Sequence, residues 1–286
     1  MRPEKNEVMQ KNTIAGFALL LTIAALLVFV YISFMGTEYL VEGNHLVAIP
    51  LVLMGTALLS YSIWVMCKSK ASRDKRKGLP KEVAAFFMTI FILLIGSVAF
   101  TQFLYVYDHQ QQLRETMFST ADDVSRIDSI YKDYAQDRVK AYSSLLKKEK
   151  YPSVKQTLLT RSLKRRLMPA EYDTICAERQ RWLASLHDAG VWNISTPRNL
   201  HYIVTAGQDW TEQYRQVSSI IYKGEKAEPF GSGETLFVPD EDYKKFNQPH
   251  KPDLRSMAAT IVCCLLILTT YLHVRRPRSR YAGSHR

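Results

Sequence analysis

The sequence predicts an all-α membrane protein with four transmembrane helices and an exported helical-bundle domain inserted between the third and the fourth. Three observations predict this fold class. Four apolar segments are long enough to cross a bilayer, and basic residues concentrate in the three segments that one orientation places in the cytoplasm. In the long polar segment before the last span, apolar residues recur at helical spacing.

The predicted spans are residues 14–35, 46–67, 83–107 and 256–274. A transmembrane helix needs about 20 apolar residues to cross a hydrocarbon core of about 30 Å, and each segment matches this length. No Asp, Glu, Lys or Arg lies inside them, so an ion channel or a proton-coupled transporter is not expected. The first segment is too long for the apolar core of a signal peptide, and we expect it to be retained.

The basic residues predict an orientation with both termini in the cytoplasm. Residues 1–13, 68–82 and 275–286 together carry a net charge of +11, which equals the net charge of the whole chain. Because Lys and Arg near span ends are retained in the cytoplasm, we interpret these segments as the two tails and as the loop within the three-span segment 14–107. Residues 108–255, with a net charge of +2, are then periplasmic. The predicted topology determinants are Lys68, Lys70, Arg73, Lys75, Arg76, Lys77, Arg275, Arg276 and Arg278.

The basic loop CKSKASRDKRKGLPKE, Cys67–Glu82, raises the question of an acidic partner, because it holds seven Lys and Arg residues. Runs of this kind also occur in proteins that bind nucleic acid. Its position between two predicted spans explains the charge as a signal that stops translocation, so we expect no nucleic-acid partner. Contact with the anionic headgroups of membrane lipids is compatible with this position.

The exported domain begins with a long predicted helix. Residues 97–151 contain neither Gly nor Pro, so the third span can continue outward as one helix, Val83–Lys150. Alternatively, Ser119 or Thr120, together with Asp123, caps a new helix. A stripe with steps of three and four runs along the outer part: Val124, Ile127, Tyr131, Tyr134, Arg138, Ala141 and Leu145.

Three further helices are predicted in this domain. The first covers residues 153–167, and the second carries an apolar face from Tyr172 to Leu186 and ends at Gly190. The third opens just before Pro197 and closes at Gly224. An antiparallel helical bundle is the natural way to bury the apolar faces of these helices together.

The remainder of the domain, residues 225–255, is predicted to be a loop. Its Gly and Pro residues exclude long helices, and we expect one short hairpin around residues 235–238. Aromatic side chains in this segment are expected to be exposed, since little regular structure is available to cover them.

Two surfaces are predicted to contact partner proteins. One is the Val124–Leu145 stripe where the bundle does not bury it, and the other is the Pro-rich segment Phe230–Pro252 with its aromatic side chains. The alternative is that both are ordinary core or loop residues. Arg138, the charged residue of the helical stripe, needs an acidic partner or an exposed position, because a buried unpaired charge is too costly. The candidate contact residues are Tyr131, Tyr134, Arg138, Tyr142, Phe230, Phe237, Tyr243 and Phe246.

No catalytic, cofactor-binding or metal site is predicted. The histidines of the exported domain are scattered, without helical pairs or nearby cysteines. The motif GSGETL, Gly231–Leu236, lacks the third glycine of a phosphate loop and follows no predicted strand, so we expect a turn. Cys176 is the only cysteine of the exported domain, which therefore cannot contain an intrachain disulfide.

Together these features predict a non-enzymatic structural subunit of a trans-envelope protein complex. We expect it to act by homo-oligomerisation and by binding other envelope proteins. The alternative is a periplasmic four-helix sensor that works through a separate cytoplasmic partner, because the chain offers only short tails and one loop to the cytoplasm.

The order of features also resembles a known family. Four spans with one helical periplasmic domain before the last, and the Tyr-rich helix YKDYAQDRVKAY at Tyr131–Tyr142, are similar to TssN, a family of integral inner-membrane components of the Bacteroidetes type VI secretion system. The resemblance lies in the layout of essentially the whole chain. It implies a non-enzymatic role that anchors a secretion-system assembly in the inner membrane. Partner subunits would contact the periplasmic domain, with baseplate proteins nearby in the cytoplasm.

Overall fold

The computed structural model describes residues 3–72, 75–186, 188–222, 224–232 and 241–274, together with their side chains except those of residues 3–12, 75–77 and 241. Several predicted features lie outside this part of the chain. They are the hairpin around residues 235–238, Phe237, Arg73, Arg275, Arg276 and Arg278, and the side chains of Lys75, Arg76 and Lys77.

Within the described ranges the chain is helical and contains no β-strand. The helices, in chain order, are α1 (Pro3–Leu40), α2 (His45–Ala71), α3 (Lys75–Asp108), α4 (Gln110–Lys148), α5 (Ser153–Leu167), α6 (Tyr172–Ser185), α7 (Thr196–Ser218), α8 (Glu241–Asn247), α9 (Leu254–Ile267) and α10 (Thr269–His273). The predicted all-α class is therefore confirmed for the described residues.

The chain divides into two compact units. The first, which we call the apolar unit, consists of the residues up to Asp108 and those from Phe246 onward. The second, which we call the polar unit, is His109–Lys245. Each unit has its own buried core, so each is described separately.

The long helix of the polar unit begins at the boundary between the two units. α3 ends at Asp108 and α4 begins at Gln110. The helix is therefore not continuous over Val83–Lys150. It also does not restart at Thr120, whose hydroxyl donates to the carbonyl oxygen of Thr116 at 2.6 Å within α4. Neither the continuous helix nor the new start near Thr120 is therefore observed. The helix is interrupted once, at His109.

Three helices of the apolar unit are long and apolar enough to cross a membrane. They contain the stretches Thr13–Leu40, His45–Ala71 and Gly78–Asp108. α9 is also apolar but has only 14 residues, and α10 follows it after Leu268. The predicted fourth span, residues 256–274, thus consists of two consecutive short helices.

The core of the apolar unit is formed by α1, α2, α3 and α9. One cluster of buried side chains contains Phe29, Leu59, Leu93 and Ile267, one from each of these helices. Many large apolar side chains remain on the outer surface, and Phe91 is 64% exposed. A surface this apolar is unfavourable in water and matches the hydrocarbon interior of a bilayer.

The polar unit is organised around α4, which packs against α5, α6 and α7. α5 confirms the predicted helix over residues 153–167. The predicted end of α7 at Gly224 is wrong, because the helix ends at Ser218. The segment predicted as a loop contains α8, so that prediction also needs correction.

The buried face of α4 drifts away from the predicted stripe. Ile127 and Tyr131 are buried as predicted and Arg138 lies in the same buried face, but Ala141 is exposed and Tyr142 takes its place in the core. A straight helix has about 3.6 residues per turn, so a stripe that averages about 3.5 drifts by about 20° per heptad. The predicted stripe is therefore correct only over its first turns.

A close approach of α1 to α3 requires glycine at position 36. A Cβ atom built on Gly36 would lie 1.9 Å from the carbonyl oxygen of Ala99, whereas one built on Gly55 of α2 would have nothing within 4 Å. Because the obstacle at Gly36 is backbone, no side-chain rearrangement can relieve it. The two helices must move apart to admit even a methyl group.

We expect Gly36→Ala to lower the midpoint temperature of thermal unfolding of the full chain in detergent. The free energy of unfolding should fall by about 1–3 kcal/mol, the usual cost of overpacking. Gly55→Ala is the matched control, and it should leave the midpoint unchanged or raise it slightly because Ala favours helix over Gly. Equal midpoints for the two variants would contradict the close approach.

Candidate functional site

A groove of about 910 Å³ opens in the polar unit between the C-terminal half of α4 and residues 224–232. Tyr134, Arg138 and Tyr142 line it from α4, and Phe230 lines it from the opposite wall. The three α4 residues share one side of the helix because they follow each other at steps of four. Four of the residues predicted to contact partners therefore meet at one groove.

A buried ion pair between Arg138 and Glu225 joins the two walls. Arg138 Nε donates to Glu225 Oε1 at 2.7 Å and Nη2 donates to Oε2 at 3.0 Å, and the two side chains are only 3% and 5% exposed. Further guanidinium N–H groups donate to the carbonyl oxygens of Ser218 and Ile220 and to the Tyr134 hydroxyl. Every guanidinium nitrogen thus has a partner, which is what a buried charge requires.

Both members of this pair are ionised at neutral pH. The hydrogen bond to Glu225 raises the pKa of Arg138 above its ordinary range, against the opposing effect of burial. Burial acts to raise the pKa of Glu225, but hydrogen bonds from Arg138 and from the backbone N–H of Tyr222 outweigh it, and the pKa is lowered. Both shifts therefore favour the charged form of the pair over the physiological pH range.

Hydrogen bonds between side-chain hydroxyls and backbone groups also hold the wall opposite α4. Gly224 has a φ of +81°, in the left-handed region that favours glycine, and it turns the chain back after α7. The backbone N–H of Phe230 donates to the Ser218 hydroxyl at 2.7 Å, and the Tyr134 hydroxyl donates to the carbonyl oxygen of Glu228 at 2.6 Å. The groove is thus held in shape by α4 on one side and by the end of α7 on the other.

A cluster of aromatic rings lies beneath the groove. Tyr131 of α4 and Tyr214 of α7 stack with their ring centroids 3.8 Å apart, and Phe230 meets Tyr131 edge-on at 5.1 Å. The Tyr131 hydroxyl donates to the carbonyl oxygen of Leu167 at 2.9 Å, and burial raises the pKa of Tyr131 well above its ordinary value. The cluster therefore ties α4, α5 and α7 together under the groove.

A second buried polar contact joins α4, α6 and α7. The Tyr214 hydroxyl and Nη1 of Arg179 both donate to Asp128 Oδ1, at 2.6 and 2.9 Å. The Tyr172 hydroxyl donates to the backbone carbonyl oxygen of Asp128 at 2.7 Å. The Arg179 guanidinium also lies 4.4 Å from the centroid of the Trp210 ring, within the range of a cation–π contact. This contact fixes α6, which contributes little apolar surface of its own.

Three of the aromatic side chains expected to be exposed are buried. Phe230, Tyr243 and Phe246 are 2%, 7% and 1% exposed, so the expectation of exposure is wrong for all three. Tyr243 and Phe246 belong to α8, and Phe246 lies in the apolar unit. There its ring centroid is 6.3 Å from that of Tyr105, and its carbonyl oxygen accepts a hydrogen bond from Gln102 Nε2.

On α4, the candidate contact residues differ in access. Tyr131 and Tyr142 are buried, and only Tyr134 is half-buried with part of its surface open to the groove. Arg138 is buried and has its acidic partner in Glu225, which satisfies the first of the two conditions stated for it. Contact with a partner protein through these residues stays a prediction.

The sequence does not reveal Glu38 as a buried acid. The first span is predicted to end at Met35, but α1 continues to Leu40 and Glu38 is 0% exposed. Its Oε1 lies 2.6 Å from Nδ1 of His45, whose ring stacks on Phe34. The sequence feature that could have indicated this contact is an acid and a histidine seven residues apart, on either side of the turn between two apolar segments.

Chemistry other than these ion pairs is sparse in the described part of the chain. There, no group of three or more His, Cys, Asp or Glu is placed to hold a metal ion. The four cysteines are free, and burial raises the pKa of the Cys176 thiol above its ordinary value, which keeps it protonated at neutral pH.

Comparisons with protein families, with curated proteins and with solved structures find no significant match to the chain. The class of protein therefore rests on its own structure. The described residues form an all-helical protein with three helices long and apolar enough to cross a membrane, and with a second helical unit that contains the groove.

We expect Arg138→Ala to destabilise the polar unit strongly, because it leaves the Glu225 carboxylate buried without its partner. The expected cost is about 3–5 kcal/mol, measured as loss of amide hydrogen-exchange protection in α4 and α7 of the full chain in detergent. Arg126→Ala is the control: its ion pair with Asp122 is 63% and 57% exposed, so its removal should cost under about 1 kcal/mol. Similar losses from both variants would contradict the role of the buried pair.

We expect the contribution of Glu225 to stability to disappear in acid. Its pKa is lower in the folded protein than in the unfolded chain, so its stabilising effect is present above the unfolded value of about 4.3 and is lost as pH falls through the folded pKa. Comparing the wild-type chain with Glu225→Gln isolates this residue from the other carboxylates. The stability difference should be largest near pH 7 and should shrink below about pH 4, whereas a constant difference would contradict the lowered pKa.

Proposed function

We propose that this protein is a multi-pass protein of the bacterial inner membrane, with both termini in the cytoplasm and residues 108–255 in the periplasm. The three apolar helices support the first part of this proposal. α9 and α10 supply the fourth span: together they cover Leu254–His273, about 30 Å at 1.5 Å per residue, and Ile267 lies in the shared core. The net charge of the tails and of the basic loop supports the orientation.

Its proposed role is that of a non-enzymatic structural subunit, which holds other proteins at the membrane through its polar unit. The observation that carries this proposal is the groove on α4. The buried pair of Arg138 and Glu225 holds both walls of the groove in place before a partner binds. Binding therefore does not cost the conformational entropy of ordering the wall. The tyrosine and phenylalanine side chains in its lining are of residue types enriched at protein interfaces.

We further propose that the complex is a trans-envelope assembly, in which the protein is present in more than one copy. Its assignment to the membrane complex of a type VI secretion system is supported by the resemblance in layout to the TssN family. The envelope proteins of that assembly are the expected partners of the polar unit, and membrane lipids are the expected partners of the apolar unit.

A sensor function is the second candidate, and the size of the groove favours it. Sites for small molecules measure about 300–1,000 Å³, and the groove of about 910 Å³ falls in this range. In that case a small molecule would occupy the groove, and a separate cytoplasmic protein would carry the output.

Photo-crosslinking in intact cells tests both candidates. A photoreactive residue replacing Ala141, which is exposed on the groove wall, should crosslink to envelope proteins or to a second copy of the chain. The same residue replacing Gln136, which is exposed on α4 but does not line the groove, is the matched control and should give few crosslinks. The full-length products are extracted in mild detergent and identified by mass spectrometry.

Protein crosslinks at position 141 that are absent at position 136 support the structural role. A chain that remains monomeric and gives no protein crosslink at either position overturns it. If a small molecule then co-purifies with the wild-type chain and is displaced by Ala141→Trp but not by Gln136→Trp, the sensor function is the correct one.

A further inference from the structure

A second groove, of about 550 Å³, lies in the apolar unit between the last turns of α2 and the first turns of α3. Lys68 and Lys81 line it, one from each helix, together with the hydroxyl-bearing residues Ser69 and Ser72. None of the described lining residues is an acid. Among the lining residues that the structure describes, the groove therefore offers a ligand two ammonium groups together with hydroxyls, and no acidic side chain.

Two other charged residues near the groove, Lys70 and Glu82, have partners outside it. Lys70 donates to the carbonyl oxygen of Tyr271 at 2.7 Å and lies over the Tyr271 ring, 4.2 Å from its centroid. The Tyr271 hydroxyl donates to Oε1 of the buried Glu82 at 2.6 Å. Among the described residues, neither Lys68 nor Lys81 forms an ion pair, and both are exposed.

The other wall of the groove is apolar and aromatic. Val65 and Met88 line it, and Trp64 is 54% exposed beside it with Lys68 Nζ 4.6 Å from its ring centroid. Tyr61 also lines the groove and is 59% exposed. Exposed Trp and Tyr side chains are enriched at the depth of lipid headgroups, so the groove has the polarity gradient of a membrane interface.

The helices are held close together at the polar end of this groove. A Cβ atom built on Gly78 would lie 2.9 Å from the carbonyl oxygen of Ser69, so glycine allows the start of α3 to approach α2. Beyond this contact the helices leave room between them, lined by small residues such as Ala84. The result is a cleft with a cationic end and an apolar side.

We propose that this cleft binds an anionic phospholipid. The phosphate of the headgroup is held by Lys68 and Lys81 with hydrogen bonds from Ser69 and Ser72, and an acyl chain lies against Val65 and Met88. Basic pockets between membrane helices on the cytoplasmic side bind anionic headgroups by the same combination of charge and apolar contact. The proposal rests on the proposed insertion in a membrane, and it is independent of the partner proteins and of the groove on α4.

Native mass spectrometry of the full chain in detergent tests this proposal, with dioleoyl phosphatidylglycerol and dioleoyl phosphatidylcholine added separately. The wild-type chain should retain phosphatidylglycerol, and the double variant Lys68→Gln/Lys81→Gln should bind it roughly thirtyfold more weakly, because about 1 kcal/mol is lost for each of the two basic residues. The double variant Lys68→Arg/Lys81→Arg should retain binding. Lys164→Gln/Arg165→Gln, which removes two exposed charges from α5, is the matched control and should bind like wild type.

A third groove variant distinguishes binding of a phospholipid from binding of free phosphate. Ala84→Phe keeps both lysines and fills the apolar side of the cleft, so it should weaken binding of the phospholipid and leave binding of inorganic phosphate unchanged. If Lys68→Gln/Lys81→Gln and the α5 control lose the same affinity for phosphatidylglycerol, the proposal is overturned and the binding is general charge attraction. Equal retention of phosphatidylcholine, or no effect of Ala84→Phe, overturns it as well. Each variant is first checked for wild-type extraction from membranes and for an unchanged unfolding midpoint, so that a failure to insert is recognised separately.

Discussion

The polar unit depends on one constraint, which is that the charge of Arg138 lies in the buried face of its longest helix. A buried guanidinium is tolerated only when each of its N–H groups has a partner and its charge is compensated. α7 ends at Ser218, whose carbonyl oxygen, together with that of Ile220, accepts hydrogen bonds from Arg138, and the chain turns at Gly224 just before Glu225 pairs with the guanidinium. The same turn places the loop that forms the second wall of the groove. A single side chain thus joins a helix end, the segment after it and one wall of the groove.

A similar arrangement occurs in the apolar unit, where Gln102 is a fully buried polar side chain in α3. Its Nε2 donates to the carbonyl oxygen of Phe246, and its Oε1 lies 3.0 Å from Nδ1 of His250. The segment that leads to α9 is thereby fixed to α3, and the helix then begins with a capping box formed by Asp253 and Ser256. In both units, a polar residue inside a helix determines the path of a distant, irregular segment. The apolar residues supply the burial, and the polar residues select one arrangement among those that burial permits.

This division explains how much could be predicted from the sequence. The three apolar helices and the bounds of α5 follow from local signals, namely apolar runs of membrane length and a helix that starts directly after Pro152. The partner of Arg138 could not be identified, because Glu225 is 87 residues away and the polar unit offers many other acids. The burial of Phe230 comes from contacts of its ring with Tyr131 and Tyr214, which are distant in sequence, so it could not be predicted either. Tyr134, Arg138 and Tyr142 nevertheless meet at the groove, because the steps along α4 fix their common side before any tertiary contact is known.

The basic loop shows why a count of charges predicts orientation better than it predicts the role of each residue. Lys68 and Lys70 contribute equally to the net charge on which the topology argument depends. They are two residues apart on α2, however, and a helix turns by about 200° over that distance, so they face opposite sides. Lys70 consequently reaches Tyr271 inside the apolar unit, while Lys68 reaches the cleft shared with Lys81. Orientation in the membrane depends on the sum of such charges. Internal packing and lipid contact depend instead on the direction in which each side chain leaves the helix. That direction is decided by helical geometry rather than by charge.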